Sequence, residues 1–253
     1  MEIIREQALI LRSFPYGDTS AILHLLTSEG KISAMAKGAY RPKSKFFGRL
    51  EPLYLVEVIL SRKESRELDI LTDVEILNSF KKVLDDFDKM VYATAILEVC
   101  SQLFQTGQAL DDEFQEILDL LNELQQEQAS AQMIFLRFLD SILRYSGFEL
   151  SLSHCSDCGK AEAEIGEDVF VNLDNGNFCC GACTKKNNRR VNMGNERFHI
   201  LRALGEKKIS TENIHREATQ KLLNFYLAYI RLHWKSDLKV TSLDLLNNQI
   251  EEM

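Results

Sequence analysis

Four cysteines arranged as two close pairs constrain this chain more than any other feature. Cys155-Ser-Asp-Cys158-Gly159 is followed, after a spacer of 21 residues, by Cys180-Gly-Ala-Cys183. The spacer slightly exceeds the usual range of about 15–20 residues for a tetrathiolate zinc pattern. A two-residue gap lets both thiolates of one turn reach the same ion, and Gly159 permits the tight backbone turn that follows. Cys179 is a neighbouring competitor, but its spacing to Cys183 is one residue too long, which favours Cys180. The expected ligands are Cys155, Cys158, Cys180 and Cys183, holding one structural Zn2+. Four thiolates leave no coordination position open for water or substrate, unlike a catalytic site. His154 is expected to be a neighbour rather than a ligand, and the five histidines show no ligand spacing among themselves.

Disulfides are the alternative, and they need an oxidising compartment. The N-terminus, Met1-Glu-Ile-Ile-Arg-Glu-Gln7, carries early charges and no long apolar stretch, so a secretory signal is not expected. No apolar run of about 18 residues suggests a membrane span. The expected compartment is the cytoplasm, with no membrane partner.

The net charge of −8 conceals a division of labour. Residues 81–153 hold 5 Lys/Arg against 13 Asp/Glu, whereas residues 1–80 balance at 11 against 11. Within the balanced part, residues 31–49 carry Lys31, Lys37, Arg41, Lys43, Lys45 and Arg49 and no acid. Such a cluster tracks phosphates, and Tyr40, Phe46 or Phe47 adds either a stacking face or core packing. If all six cations met a single strand, log K would fall with log salt at a slope of roughly −4.

Apolar alternation changes character near residue 80. Ala8–Ser13, Ala21–Leu26, Lys31–Ala36, Tyr54–Leu60 and Leu68–Ile76 read as five short strands, separated by turn residues, and suggest a small barrel. Beyond Phe80 the period becomes helical. Tyr92, Ile96, Val99, Cys100 and Leu103 form one stripe, expected to end at Gly107. Asp111 is expected to cap a second helix bearing Phe114, Ile117, Leu118, Leu121 and Leu124. Ile134, Phe138 and Ile142 mark a third, ending near Gly147. A strand over Asp168–Leu173 lies between the cysteine pairs. Helices are expected again at Asn195–Leu204, Glu212–Trp234 and Ser242–Asn248. Asp85, Asp86, Asp88 and Asp111–Glu113 suit helix N-termini better than a metal site. The Gly-x-x-x-x-Gly-Lys phosphate loop and the zinc-deaminase pattern are both absent, and no nucleophile–base pair stands out, so an enzyme is not expected. The fold class is α+β, with residues 1–79 as a barrel and residues 80–253 as a helical domain into which a zinc module, 154–193, is inserted.

The order of these parts resembles the bacterial DNA repair protein RecO family. The resemblance is carried by Ala8–Leu11, Tyr16-Gly-Asp-Thr-Ser20, Leu26-Thr-Ser-Glu-Gly-Lys31, Ala36-Lys-Gly-Ala39, Lys43-Ser-Lys45, Leu50-Glu-Pro-Leu-Tyr54, Leu71-Thr-Asp-Val-Glu75 and the two cysteine pairs. It departs at Asn177, where the family pattern has a second glycine. The resemblance implies an oligonucleotide-binding (OB-fold) barrel that takes single- and double-stranded DNA. It further implies annealing of complementary strands, contact with single-stranded DNA-binding protein, and help from RecR in loading RecA during repair, in a nucleoid-associated setting. The matching basic positions are Lys31, Lys37, Arg41, Lys43 and Lys45, with Arg49 just beyond. A zinc-stabilised protein-interaction scaffold with weak nucleic-acid binding is the other reading.

Overall fold

The computed structural model describes residues 2–63, 65–161, 168–184, 189–205 and 215–246. The chain forms two compact units, Met1–Ala131 with Lys239–Met253, and Gln132–Leu238.

The first unit is built on a closed five-stranded barrel of order β1-β2-β3-β5-β4, the arrangement expected for an OB-fold. Its strands are β1 (Glu2–Tyr16), β2 (Ser20–Thr27), β3 (Gly30–Ala36), β4 (Leu55–Arg62) and β5 (Asp69–Asn78). The unusual length of β1 makes closure possible. Its first half pairs with β4, from Glu2↔Arg62 to Leu9↔Leu55. Its second half pairs with β2, from Leu9↔Leu26 to Tyr16↔Ser20, and a register shift between Ile10 and Arg12 bends the strand from one partner to the other. Ala8, Ile10, Leu23, Leu25, Ala34, Val56, Val58 and Leu60 fill the interior, each no more than 6% exposed. Phe46 and Leu50, from the loop between β3 and β4, join that core.

The rest of this unit is helical. A short α1 (Lys81–Leu84), which the sequence pattern did not indicate, precedes α2 (Phe87–Leu103) and α3 (Asp111–Leu124). The Asp86 carboxylate caps α2 by accepting the Lys89 backbone N–H at 3.0 Å. Gly107 does not end α2. The helix stops at Leu103 because the following segment turns back to the barrel, where the Lys31 N–H donates to the Gln105 carbonyl at 3.1 Å. Gly30 makes this approach possible: a Cβ there would lie 2.6 Å from the Gln108 carbonyl oxygen. Nor does Asp111 cap α3. It is the first helical residue, and the Leu110 N–H before it is held by the Ser28 carbonyl at 2.6 Å. The acids Asp111, Asp112 and Glu113 still occupy the first turn, where the helix dipole favours them. The stripe Phe114, Ile117, Leu118, Leu121 and Leu124 is buried as expected. Cys100 is fully buried, which drives its thiol pKa far up and leaves it a small apolar core residue. A tight helical turn at Thr241–Leu243 docks on α2 through the Glu98 carboxylate, which accepts from Thr241 and Ser242. Residues 244–246 continue it as helix, and the rest of the helix expected to reach Asn248 lies outside the described residues.

The second unit holds α4 (Ala131–Tyr145), α5 (Gly194–Gly205) and α6 (Arg216–His233). Ile134, Phe138 and Ile142 are buried, and the Tyr226 hydroxyl donates to Asp140 at 2.8 Å. Between α4 and α5 lies a three-stranded sheet of order β7-β6-β8, from β6 (Val169–Asn172), β7 (Phe178–Cys180) and β8 (Arg190–Asn192). It rests on the helices through Phe178 and Phe198, whose rings are 5.0 Å apart, and through His233 Nε2, which donates to the Leu173 carbonyl at 2.6 Å. The start of the helix expected from Glu212 lies outside the described residues. Among those described, no helix is long and apolar enough to cross a membrane.

Candidate metal centre and nucleic-acid interface

The two cysteine pairs are brought together by two unlike pieces of backbone. Cys155–Gly159 is a tight turn in which the Gly159 N–H donates to the Cys155 carbonyl at 2.9 Å, and Gly159 has a φ of 70°. That left-handed conformation suits glycine and no β-branched residue. Cys180 closes β7 and Cys183 ends the 3-10 turn Gly181–Cys183. Gly181 lies so close to Asp168 that a Cβ would come within 2.6 Å of the Asp168 Cβ. Both turns therefore depend on small residues inside or beside the Cys-x-x-Cys pairs.

The sulfurs of Cys155, Cys158, Cys180 and Cys183 all lie within 4.8 Å of one another, and Cys158 and Cys180 Sγ are 3.9 Å apart. A tetrahedral zinc–thiolate centre with bonds of about 2.3 Å needs sulfurs about 3.8 Å apart. Geometry and donor chemistry both fit such an ion. Burial alone would push the Cys155 thiol up, but the backbone N–H groups of Cys180, Cys158 and Asp157 outweigh it and bring the pKa down to about 6. Hydrogen bonding to Cys158 and Cys180 pushes Cys183 up to about 12. Four crowded sulfurs resist full ionisation, which a divalent cation at their centre would relieve.

Cys179 does not belong to this group. Its side chain is buried on the other side of β7, donates to Asp157 Oδ2 at 3.4 Å and receives Arg190 Nη1 at 2.8 Å. Burial, then Asp157, pushes its thiol up to about 11. His154 is exposed and bonds Ser153, away from the cluster. Arg190, seven residues after the last cysteine, points inward, its side chain only 14% exposed. Its guanidinium holds Asp157 Oδ2 at 3.2 Å and the Cys183 carbonyl at 3.3 Å, so one side chain spans both cysteine turns. In sequence, the only trace of this role is a basic residue after the last cysteine. Arg189 pairs with Asp174, while Lys185 and Lys186 lie outside the described residues.

The six basic positions do not behave alike. Lys37, Arg41, Lys43, Lys45 and Arg49 are exposed on the loop between β3 and β4. Lys31 stands apart at the far end of β3, and its ammonium donates to the Ser101 carbonyl at 2.7 Å. Lys45 Nζ is 3.5 Å from Asp73 in a pair more than half exposed on both sides, and Arg49 reaches the Val74 carbonyl at 3.3 Å. The loop's aromatics divide as well: Phe46 is 6% exposed, whereas Phe47 is 72% and Tyr40 48% exposed. Phe46 packs inward, and its neighbours face solvent.

The family described as Recombination protein O N terminal matches residues 1–80. Recombination protein O C terminal matches residues 84–242. A DNA repair protein RecO from a Nocardioides species is 33% identical over 187 residues, covering 72% of this chain and 74% of that protein. The RecO of Clostridium acetobutylicum is 24% identical over 254 residues, covering 100% of both. The RecO of Caldicellulosiruptor saccharolyticus is 24% identical over 242 residues, covering 95% of this chain and 97% of its own. With the two models together matching nearly the whole chain, residues 1–80 and 84–242, the chain belongs to the Recombination protein O family.

Proposed function

We propose that this chain is a DNA-binding recombination mediator in DNA repair, acting without a bond-making step of its own. Residues 1–79 form its OB-fold nucleic-acid-binding domain, and residues 80–253 form a helical domain carrying the zinc module 154–193. The observation that carries the reading is the loop between β3 and β4, which presents Lys37, Arg41, Lys43, Lys45 and Arg49 to solvent beside exposed Tyr40 and Phe47 on a closed barrel. Cations for phosphates and rings for bases are the combination that holds single strands. The chain takes single- and double-stranded DNA, anneals complementary strands, and with RecR loads RecA onto single strands coated by single-stranded DNA-binding protein, in the cytoplasm. Family membership and the RecO names of the relatives support the repair role. The test is RecA filament formation on coated single strands with the pure chain and RecR: acceleration is expected, and none would contradict the reading.

Cys155, Cys158, Cys180 and Cys183 hold Zn2+, and the ion supplies structural cross-linking of two turns. Arg190 positions them. Replacing it with glutamine should weaken metal retention about 10- to 100-fold, the usual cost of losing a group that orients metal ligands, as read by competition with a chromogenic chelator. Retention equal to the unmodified chain would show that the Asp157–Arg190–Cys183 link does not orient the ligands.

A further inference from the structure

The loop between β3 and β4 is divided by its own anchor. Phe46 is plugged into the barrel core. Lys37, Arg41 and Lys43 precede it and face solvent, whereas Lys45 and Arg49 stand on either side of it. The Arg49 N–H donates to the Phe46 carbonyl at 3.0 Å, which closes a tight turn and keeps both cations near the anchor. From there Lys45 Nζ reaches Asp73 Oδ1 at 3.5 Å, and Arg49 Nη1 donates to the Val74 carbonyl at 3.3 Å. Two of the five exposed cations of the loop are thus laid against β5.

The surface they meet is acidic by register. Val56, Val58 and Val74 are buried inside the barrel, so strand alternation turns Glu57, Asp73 and Glu75 outward. Glu57 is directly opposite Glu75, and Asp73 is opposite Ile59. Like charges directly opposite each other destabilise a sheet. Arg5 of β1 pairs with Glu57 and offsets part of that cost. Arg49 joins Arg5 and the three carboxylates around one cleft of about 570 Å³. A single exposed ion pair needs no functional explanation. Here a costly row of like charges lies beside cations read as phosphate ligands. Asp73 and Glu75, two residues apart and about 7 Å along the strand, offer those cations successive negative charges, as a nucleic-acid backbone does.

We infer that the carboxylates Asp73 and Glu75, backed by Glu57, are a built-in competitor for nucleic acid that occupies Lys45 and Arg49 until phosphates displace it. This rests on the nucleic-acid reading of the loop and adds a regulation of that same site. The first half of the loop is open to a strand at once. The second half engages only by exchanging carboxylate for phosphate, so the barrel's own surface lowers affinity and favours release of the strand.

The experiment is a double-mutant cycle in the full chain, read by fluorescence anisotropy on an oligothymidylate in 0.1 M salt. Asp73→Asn/Glu75→Gln keeps the shape of both side chains and removes their charge. An exposed ion pair is worth up to about fivefold in an equilibrium constant, so single-strand Kd should fall about three- to fivefold. The salt slope should stay unchanged, because the same five cations meet phosphates. In a Lys45→Gln/Arg49→Gln background the carboxylates have nothing left to hold, and the same pair of changes should shift Kd by less than about 1.5-fold. Asp73→Asn alone should tighten binding about twofold, and it serves should the double variant not fold. A gain of equal size in both backgrounds would be diffuse repulsion and overturns the competitor, as does an unchanged Kd in the original background. In the second case the loop reading stands as long as the unmodified chain binds. If the unmodified chain binds no single strand, the loop reading falls and the competitor with it.

Discussion

Replacing Lys37, Lys43 and Lys45 together with glutamate is expected to weaken single-strand binding about 100-fold in 0.1 M salt. Each single-strand phosphate contact contributes about −0.7 to the slope of log K against log salt. Relative to 1 M salt, one contact is thus worth about fivefold at 0.1 M, and three are worth about 100-fold. The loop exposes five cations, since the Lys31 ammonium is held at the Ser101 carbonyl. The expected slope is therefore roughly −3.5 for the unmodified chain and about −1.4 for the variant. The Lys45–Asp73 pair opposes this little, because both partners are more than half exposed and such pairs are worth under about 1 kcal/mol. All three lysines are exposed, so the barrel should melt unchanged, which separates lost binding from lost folding. Salt titrations of both proteins on the same oligonucleotide check the slopes directly.

The second large effect is on the metal centre. Cys158→Ser, or chelation of the unmodified chain, should release one zinc and unfold the module around β6–β8. Zinc contributes about 10–16 kcal/mol to the folding of small finger peptides at neutral pH. Here the little sheet has Val169, Val171, Phe178 and Cys179 as its buried strand residues besides the ligand Cys180, with few others to replace the ion. Proteolysis should then cut between Cys155 and Cys183, while the barrel, in the other compact unit, stays protected. Metal binding requires thiolates, so it depresses the ligands' pKa values. The stabilisation is present above the thiol range and lost as pH falls and protons compete with the ion. Identical proteolysis with and without chelator would contradict the structural role.

Much of this arrangement was legible in the residues. Alternation over Ala21–Leu26 and Lys31–Ala36 located two barrel strands to within a residue, because one face of each is wholly buried. The spacing of the cysteine pairs anticipated which four sulfurs converge and which one, Cys179, turns away. Failures occurred where distant backbone decided the outcome. The end of α2 is set by pairing with Lys31 across the unit, not by Gly107, and the start of α3 by Ser28 rather than Asp111. The reach of β1 through Pro15 to Tyr16 was hidden by turn-like residues, although a proline is tolerated so near a strand end. For the same reason Phe14 and Tyr16 read as a turn and not as part of a face. Lys31 and Arg190 look like ordinary basic residues in sequence; only the fold shows that each is engaged by a carbonyl or carboxylate.

In the proposed function the barrel handles DNA and the metal ion holds together the module between Cys155 and Cys183. Annealing of two complementary oligonucleotides by the pure chain tests it most directly, comparing the unmodified protein, Lys37→Glu/Lys43→Glu/Lys45→Glu and Cys158→Ser. The unmodified chain should speed annealing well above the spontaneous rate, and the loop variant should lose that acceleration. Cys158→Ser should retain most of its single-strand affinity despite its unfolded module. Annealing by the loop variant at the unmodified rate, or loss of single-strand affinity in Cys158→Ser alone, would contradict it.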